Sequence, residues 1–297
     1  MSNLTRRSFF KAGAILGAVI GGAKSARAES KNVLSEDRMG VLVDTTVCIG
    51  CRNCEWACKN AHRMVTDSVD SYEDQSVFKI KRRPDETSLT VVNQYSIPSK
   101  TKPVYVKVQC MHCDHPACVS ACIVGAFSKE ETGAVVWDTD KCIGCRYCMV
   151  ACPFQVPAFE YFEALRPNIL KCDFCKTRTT EGLRPACVDI CPVEAMTYGP
   201  RAELIRVARE RIKKNPDRYI NHIYGETEVG GTSWMYLAGE EFTNLDFPQL
   251  GKNLAPGVSE SIQHGIFAYF VPPVSLYALL GGLMWIFKNR KPPESEK

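Results

Sequence analysis

The chain carries no glycine-rich phosphate-binding fingerprint at the head of a βαβ unit. It also shows no His, Asp and Ser set in a recognisable local context. Nucleotide-dependent chemistry and triad hydrolysis therefore have no sequence support. A basic nucleic-acid footprint is missing as well. The formal charge of +4 belongs to the ends, because residues 1–28 and 288–297 hold nine of the 37 basic residues and two of the 33 acids. The body between them is slightly acidic, which excludes phosphate-backbone binding as its principal task.

What the chain has in abundance is cysteine, 16 residues in four complete motifs with none left over. The run Cys142-x2-Cys145-x2-Cys148-x3-Cys152-Pro153 has the spacing of bacterial ferredoxins. Gly144 suits the tight curl, because it has no Cβ to clash. Cys48-x2-Cys51-x2-Cys54-x3-Cys58 repeats the spacing. Cys110-x2-Cys113-x4-Cys118-x3-Cys122 and Cys172-x2-Cys175-x11-Cys187-x3-Cys191 are variants of it. Zinc ribbons use separate C-x2-C knuckles and do not crowd three thiolates into one loop. Four ligands per cubane predict four [4Fe–4S] clusters, with all sixteen cysteines as iron ligands. The fourth cysteine of such a run normally serves a second cluster, so the motifs should work in pairs. His112 and His115, inside the second motif, read as packing or hydrogen-bonding residues, since four cysteines already complete it.

The fold class expected is α+β, with tandem ferredoxin-like units holding two clusters each and one C-terminal transmembrane helix. Short apolar runs at 39–44, 104–108 and 134–137 precede the first three motifs and read as strands. Each strand, cysteine loop and short helix is one unit of an internal repeat. Residues 59–102 are polar and read as a surface insertion, with the charged run Lys81 to Glu86 as a solvated face. Residues 201–214 read as a helix with Leu204, Val207, Ala208 and Ile212 on one face, stopped by Asn215-Pro216. Composition alone assigns nothing to 217–262.

The ends set the compartment. Arg6-Arg7, an apolar h-region and Ala26-Arg27-Ala28 predict a cleaved twin-arginine signal over 1–28. That route carries folded, cofactor-loaded proteins, which reconciles sixteen cysteines with an oxidising periplasm. The run 266–287 has no charge and is long enough to span a bilayer. Lys288, Arg290 and Lys291 follow it and favour a cytoplasmic tail. The expected divisions are a signal at 1–28, a four-cluster domain at 29–200, an extension at 201–262, and an anchor with tail at 263–297. The expected location is the inner membrane, single-pass, with the body in the periplasm and the C-terminus in the cytoplasm. His264 reads as an interfacial polar residue.

The four motifs, in this order and spacing, resemble the four-cluster subunits of dimethyl-sulfoxide-reductase-type complexes. The resemblance extends through Tyr224-Gly225-Glu226, Gly230-Gly231-Thr232 and Ile262-Gln263-His264. Signal, four motifs and a single span together resemble most the ferredoxin-type subunits of hydrogenase-2-type [NiFe] hydrogenases. Lys59 and Ile123 depart from the pattern, standing where proline often follows the fourth cysteine.

The resemblance implies that the first motif pairs with the fourth and the second with the third. One cluster would take Cys48, Cys51, Cys54 and Cys191, and the next Cys58, Cys172, Cys175 and Cys187. A third would take Cys110, Cys113, Cys118 and Cys152, and the last Cys122, Cys142, Cys145 and Cys148. It implies a non-catalytic electron-transfer subunit between hydrogenase small and large subunits and an integral membrane quinone-reactive subunit. The alternative is the iron–sulfur subunit of a molybdopterin oxidoreductase, of formate dehydrogenase or of polysulfide or dimethyl sulfoxide reductase type.

Overall fold

Strand β1 (Met39–Asp44) is the central strand of the main sheet and is buried from Gly40 onward. Its unbroken apolar run suits a strand covered on both faces. The computed structural model describes residues 38–98, 100–165, 167–257 and 276–286. The signal expected at 1–28 lies outside them, as does half of the run 266–287. Its described part, 276–286, is helical, with Leu276, Tyr277, Met284 and Trp285 exposed. Among the described residues no helix is long and apolar enough to cross a membrane.

After β1 come α1 (Asn53–Ala61), two 3-10 turns, β2 (Val91–Tyr95) and β3 (Val104–Val108). Then follow α2 (Ala117–Ser120), β4 (Phe127–Lys129), β5 (Val135–Trp137) and α3 (Tyr147–Ala151). The two-residue strands β6 (Ala158–Phe159) and β7 (Ile169–Leu170) lead into α4 (Lys176–Thr180) and α5 (Ala186–Asp189). Strand β8 (Met196–Pro200), α6 (Arg201–Lys214) and β9 (Trp234–Leu237) follow.

Strand β1 pairs antiparallel with β8 and parallel with β9, so the sheet order is β8-β1-β9. One sheet thus joins the segment before the first motif, the segment after the last, and the region beyond 201. Leu204 and Ala208 of α6 pack against Leu42, Met235 and Leu237. The three remaining ladders are antiparallel pairs: β2–β3, β4–β5 and β6–β7.

The expected strands at 39–44 and 104–108 and the helix at 201–214 form at those bounds, and the third strand begins one residue late, at Val135. The insertion at 59–102 departs from the surface reading. Its β2 is buried at Val91, Val92 and Tyr95, because it covers β3 in front of the second motif. Lys81 and Arg83 are exposed, but Arg82 turns inward to an ion pair with buried Glu55. The aromatic residues of 217–262 are core: Tyr224, Trp234, Tyr236 and Phe242 pack in the central cluster.

Candidate metal centres

The first and third motifs build the same loop. In Cys48-Ile49-Gly50-Cys51-Arg52, the left-handed residues are Gly50 (φ 72°) and Arg52 (φ 62°). In Cys142-Ile143-Gly144-Cys145-Arg146 they are Gly144 (φ 68°) and Arg146 (φ 61°). Alternating hand turns successive amides toward one concavity, which favours an anionic guest. A left-handed arginine costs about 1–2 kcal/mol. Arg52 is held there by an ion pair to Glu55 and by the Tyr72 ring, 4.9 Å from its guanidinium. The other loops place His112 (φ 50°), Phe174 (φ 67°) and Cys175 (φ 50°) in the same region. Short helices then carry the later sulfurs: Cys54 and Cys58 on α1, Cys118 on α2, Cys148 on α3 and Cys187 on α5.

The sulfurs converge in four groups. Cys48, Cys51 and Cys54 line one cavity with Cys191, from the far end of the fourth motif. Cys110, Cys113 and Cys118 line another with Cys152, from the third. Charge coupling joins Cys58 to Cys172, Cys175 and Cys187. It likewise joins Cys148 to Cys145, Cys142 and Cys122. None of the sixteen forms a disulfide.

The groups lie close to one another in two pairs. Cys54 couples to Cys187 across the first two, and Cys118 to Cys148 across the last two. Lys171, beside Cys172, lines the cavity of the third group and so stands between the halves.

The donor chemistry fits iron–sulfur cubanes. Burial pushes the Cys48 thiol up to about 11, and those of Cys118, Cys148 and Cys175 to about 12. Cys54, Cys113 and Cys172 are driven well above the ordinary range for the same reason. Thiolates so deeply enclosed need a bound cation to exist at neutral pH. Backbone amides already point at sulfur: Ala126 N–H donates to Cys122 Sγ (3.2 Å) and Ala195 N–H to Cys191 Sγ (3.3 Å).

Two buried lysines lie beside the cysteine groups. Lys107, 3% exposed, donates to Gln109 Oε1 at 2.9 Å and sits 4.4 Å over the Trp234 ring. Burial alone would lower its pKa, but the Cys187, Cys54 and Cys172 sulfurs hold it above the ordinary value. Lys171, 1% exposed, donates to the carbonyls of Val135 and Cys172 and lies 4.9 Å over Trp137. At the other side of Cys172, His62 places Nε2 2.8 Å from Asp173 and Nδ1 2.8 Å from the Cys58 carbonyl. Both ring nitrogens face oxygen acceptors, so the ring is an imidazolium. Burial opposes that charge, but Asp173 and Cys58 raise its pKa to about 11. These three residues were not singled out by spacing. The one sequence signal was Lys107, a charge inside the apolar strand VYVKV.

Residues 101–201 match the family described as a 4Fe-4S dicluster domain. The chain is 49% identical to a protein of Nitratidesulfovibrio vulgaris (strain Hildenborough) over 244 residues, 81% of this chain and 66% of that relative. The chain thus spans just under two thirds of the length of that relative. It is 33% identical to the hydrogenase-2 operon protein HybA of Escherichia coli O157:H7 over 312 aligned residues, 93% of each chain.

The chain belongs to the HybA family.

It is also 32% identical to the iron-sulfur subunit of the nitrate-inducible formate dehydrogenase of Escherichia coli K12, over 66% of each chain. The HybA match runs nearly end to end, whereas the formate dehydrogenase match leaves a third of the chain uncovered. The dicluster match holds the second, third and fourth motifs. The first motif lies before it, and its Cys48, Cys51 and Cys54 meet the matched region through Cys191. The chain is thus a 4Fe–4S protein of ferredoxin type.

Proposed function

We propose that this protein is the electron-transfer subunit of a periplasm-facing, membrane-bound respiratory complex. It passes electrons between a [NiFe] hydrogenase and a membrane quinone-reactive subunit. The observation that carries the reading is the convergence of sixteen cysteines into four groups in a HybA-family chain. The ligand sets of the proposal are the four groups set out above, from Cys48, Cys51, Cys54 and Cys191 through to Cys122, Cys142, Cys145 and Cys148. Each set binds one [4Fe–4S] cluster, which supplies one-electron storage.

The chain's own residues do the rest. The left-handed loops aim amides and thiolates inward. Val43, Val92 and Met196 close the first cavity against water, and Val135, Phe154 and Val156 close another. Lys107 and Lys171 supply fixed positive charge where electrons must rest. A buried cation stabilises an added negative charge and so favours the reduced state.

The remaining parts rest on sequence. The twin-arginine signal supports export of a loaded protein, and the charge-free run 266–287 supports a single membrane anchor with the tail inside. A second reading, service to a molybdopterin oxidoreductase, is favoured by the formate dehydrogenase match.

Affinity purification of the tagged chain from solubilised membranes, with metal analysis, decides between the two. Stoichiometric nickel with a hydrogenase large subunit is the expected result; molybdenum in its place assigns the second reading. Truncation after Gln263 should leave clusters intact and abolish quinone-linked turnover. Full turnover after truncation would place the coupling in the soluble body.

A further inference from the structure

His112 joins the two halves of the relay. It belongs to the loop of the second motif, between Cys110 and Cys113, and is fully buried. Its backbone is left-handed (φ 50°), an uncommon conformation for a residue other than glycine. The backbone N–H of Val135 donates to Nδ1 at 2.8 Å. A backbone N–H cannot accept, so Nδ1 carries no proton and the neutral ring holds its proton on Nε2. Nε2 lies 3.5 Å from Sγ of Cys172, in the fourth motif. The ring is clamped by Phe174, with centroids 4.9 Å apart, and the His112 carbonyl accepts from Lys129 Nζ at 3.0 Å.

We propose that His112 is a positioning residue that donates its Nε2–H to the Cys172 sulfur, raising the reduction potential of the centre bound there and bracing the two pairs of motifs. The inference rests on the cluster reading for Cys58, Cys172, Cys175 and Cys187. Hydrogen bonds to ligand sulfur are a principal control of cluster potential. Such a bond strengthens when the acceptor gains negative charge, so it favours the reduced state. One electron enters the centre from its neighbour in the relay and later leaves to the next. The proton stays on Nε2 throughout, and no bond to the histidine breaks.

The test is an EPR-monitored redox titration of the intact membrane complex carrying His112→Leu or His112→Gln, after iron and sulfide analysis of each. Cys172→Ser first marks which signal belongs to the Cys172 centre. In His112→Leu that signal alone should shift to lower potential, by roughly tenfold in its reduction equilibrium, or about 59 mV for a one-electron couple. His112→Gln, which keeps an N–H donor, should recover part of the shift. Full iron content with unchanged potentials, or a shift confined to another signal, overturns the proposal. Iron far below four clusters in the unmutated protein defeats the cluster reading instead.

If His112→Leu loses its clusters, the His62→Gln protein with histidine-selective 15N labelling replaces it. A weak 15N coupling to the reduced Cys172 centre is then expected, and its absence overturns the proposal.

Discussion

Glu55 accepts two hydrogen bonds from the Arg82 guanidinium, at 2.6 Å to Oε1 and 3.1 Å to Oε2. The carboxylate is 1% exposed and stands between Cys54 and Cys58 on α1. Arg52 also donates to it, and so does the Val92 amide at 2.6 Å. One acid therefore fixes the first motif, the insertion and strand β2 together. Removing one partner of a buried pair leaves an uncompensated charge, at a cost of about 3–5 kcal/mol. Glu55→Ala should lower the urea midpoint for bleaching of the visible iron–sulfur absorption by a corresponding amount. An unchanged midpoint would mean that the two guanidinium groups find other partners.

Equivalent glycines in equivalent loops should respond differently. A Cβ on Gly50 would stand 2.4 Å from the Tyr105 ring, whereas one on Gly144 would meet only Phe159, at 3.4 Å. Both positions carry the left-handed penalty of roughly 1–2 kcal/mol, and Gly50 adds an overpacking cost of about 1–3 kcal/mol. Gly50→Ala is expected to lose iron faster than Gly144→Ala on thermal challenge. Equal rates would show that Tyr105 moves aside freely.

Cys191→Ala should disturb the centre of Cys48, Cys51 and Cys54, far away in sequence, because those four sulfurs share one cavity. Low-temperature EPR should show that signal altered while those of the second and third motifs persist. Loss confined to the centre of residues 172–187 would contradict the exchange of fourth cysteines.

Lys107→Met removes a buried positive charge beside Cys54, Cys172 and Cys187. The expected outcome is a lower reduction potential for the two centres that those residues serve. The centre of Cys142, Cys145 and Cys148 should be unmoved. Potentials unchanged at every centre would mean that solvent or a compensating proton screens the ammonium.

Local pattern carried much of this architecture. Apolar runs before cysteine loops, and a 3.6-residue period ending at Asn215-Pro216, were enough for β1, β3 and α6. The cysteine spacing marked the ligand candidates because three thiolates in one loop admit few other guests. What stayed hidden depends on partners distant in sequence. Arg82 reads as one charge in a solvated run until Glu55 is seen beneath it. His112 reads as a packing or hydrogen-bonding residue, and only the fold supplies Val135 and Cys172 as its partners. Composition assigns nothing to 217–262 because its aromatic residues are irregularly spaced, yet β9 completes the central sheet.

The sheet order β8-β1-β9 has a consequence for assembly. All sixteen cysteines lie in the stretch that leaves β1 and returns at β8. Pairing those two strands in a bare chain means closing a very long loop, with its full entropic toll. With the ligand sets proposed above, bound iron would draw that loop into short circuits before the strands meet. The sheet would then act as a clasp that closes readily only on a loaded chain. Its latch, β9, is the last of the three strands to leave the ribosome.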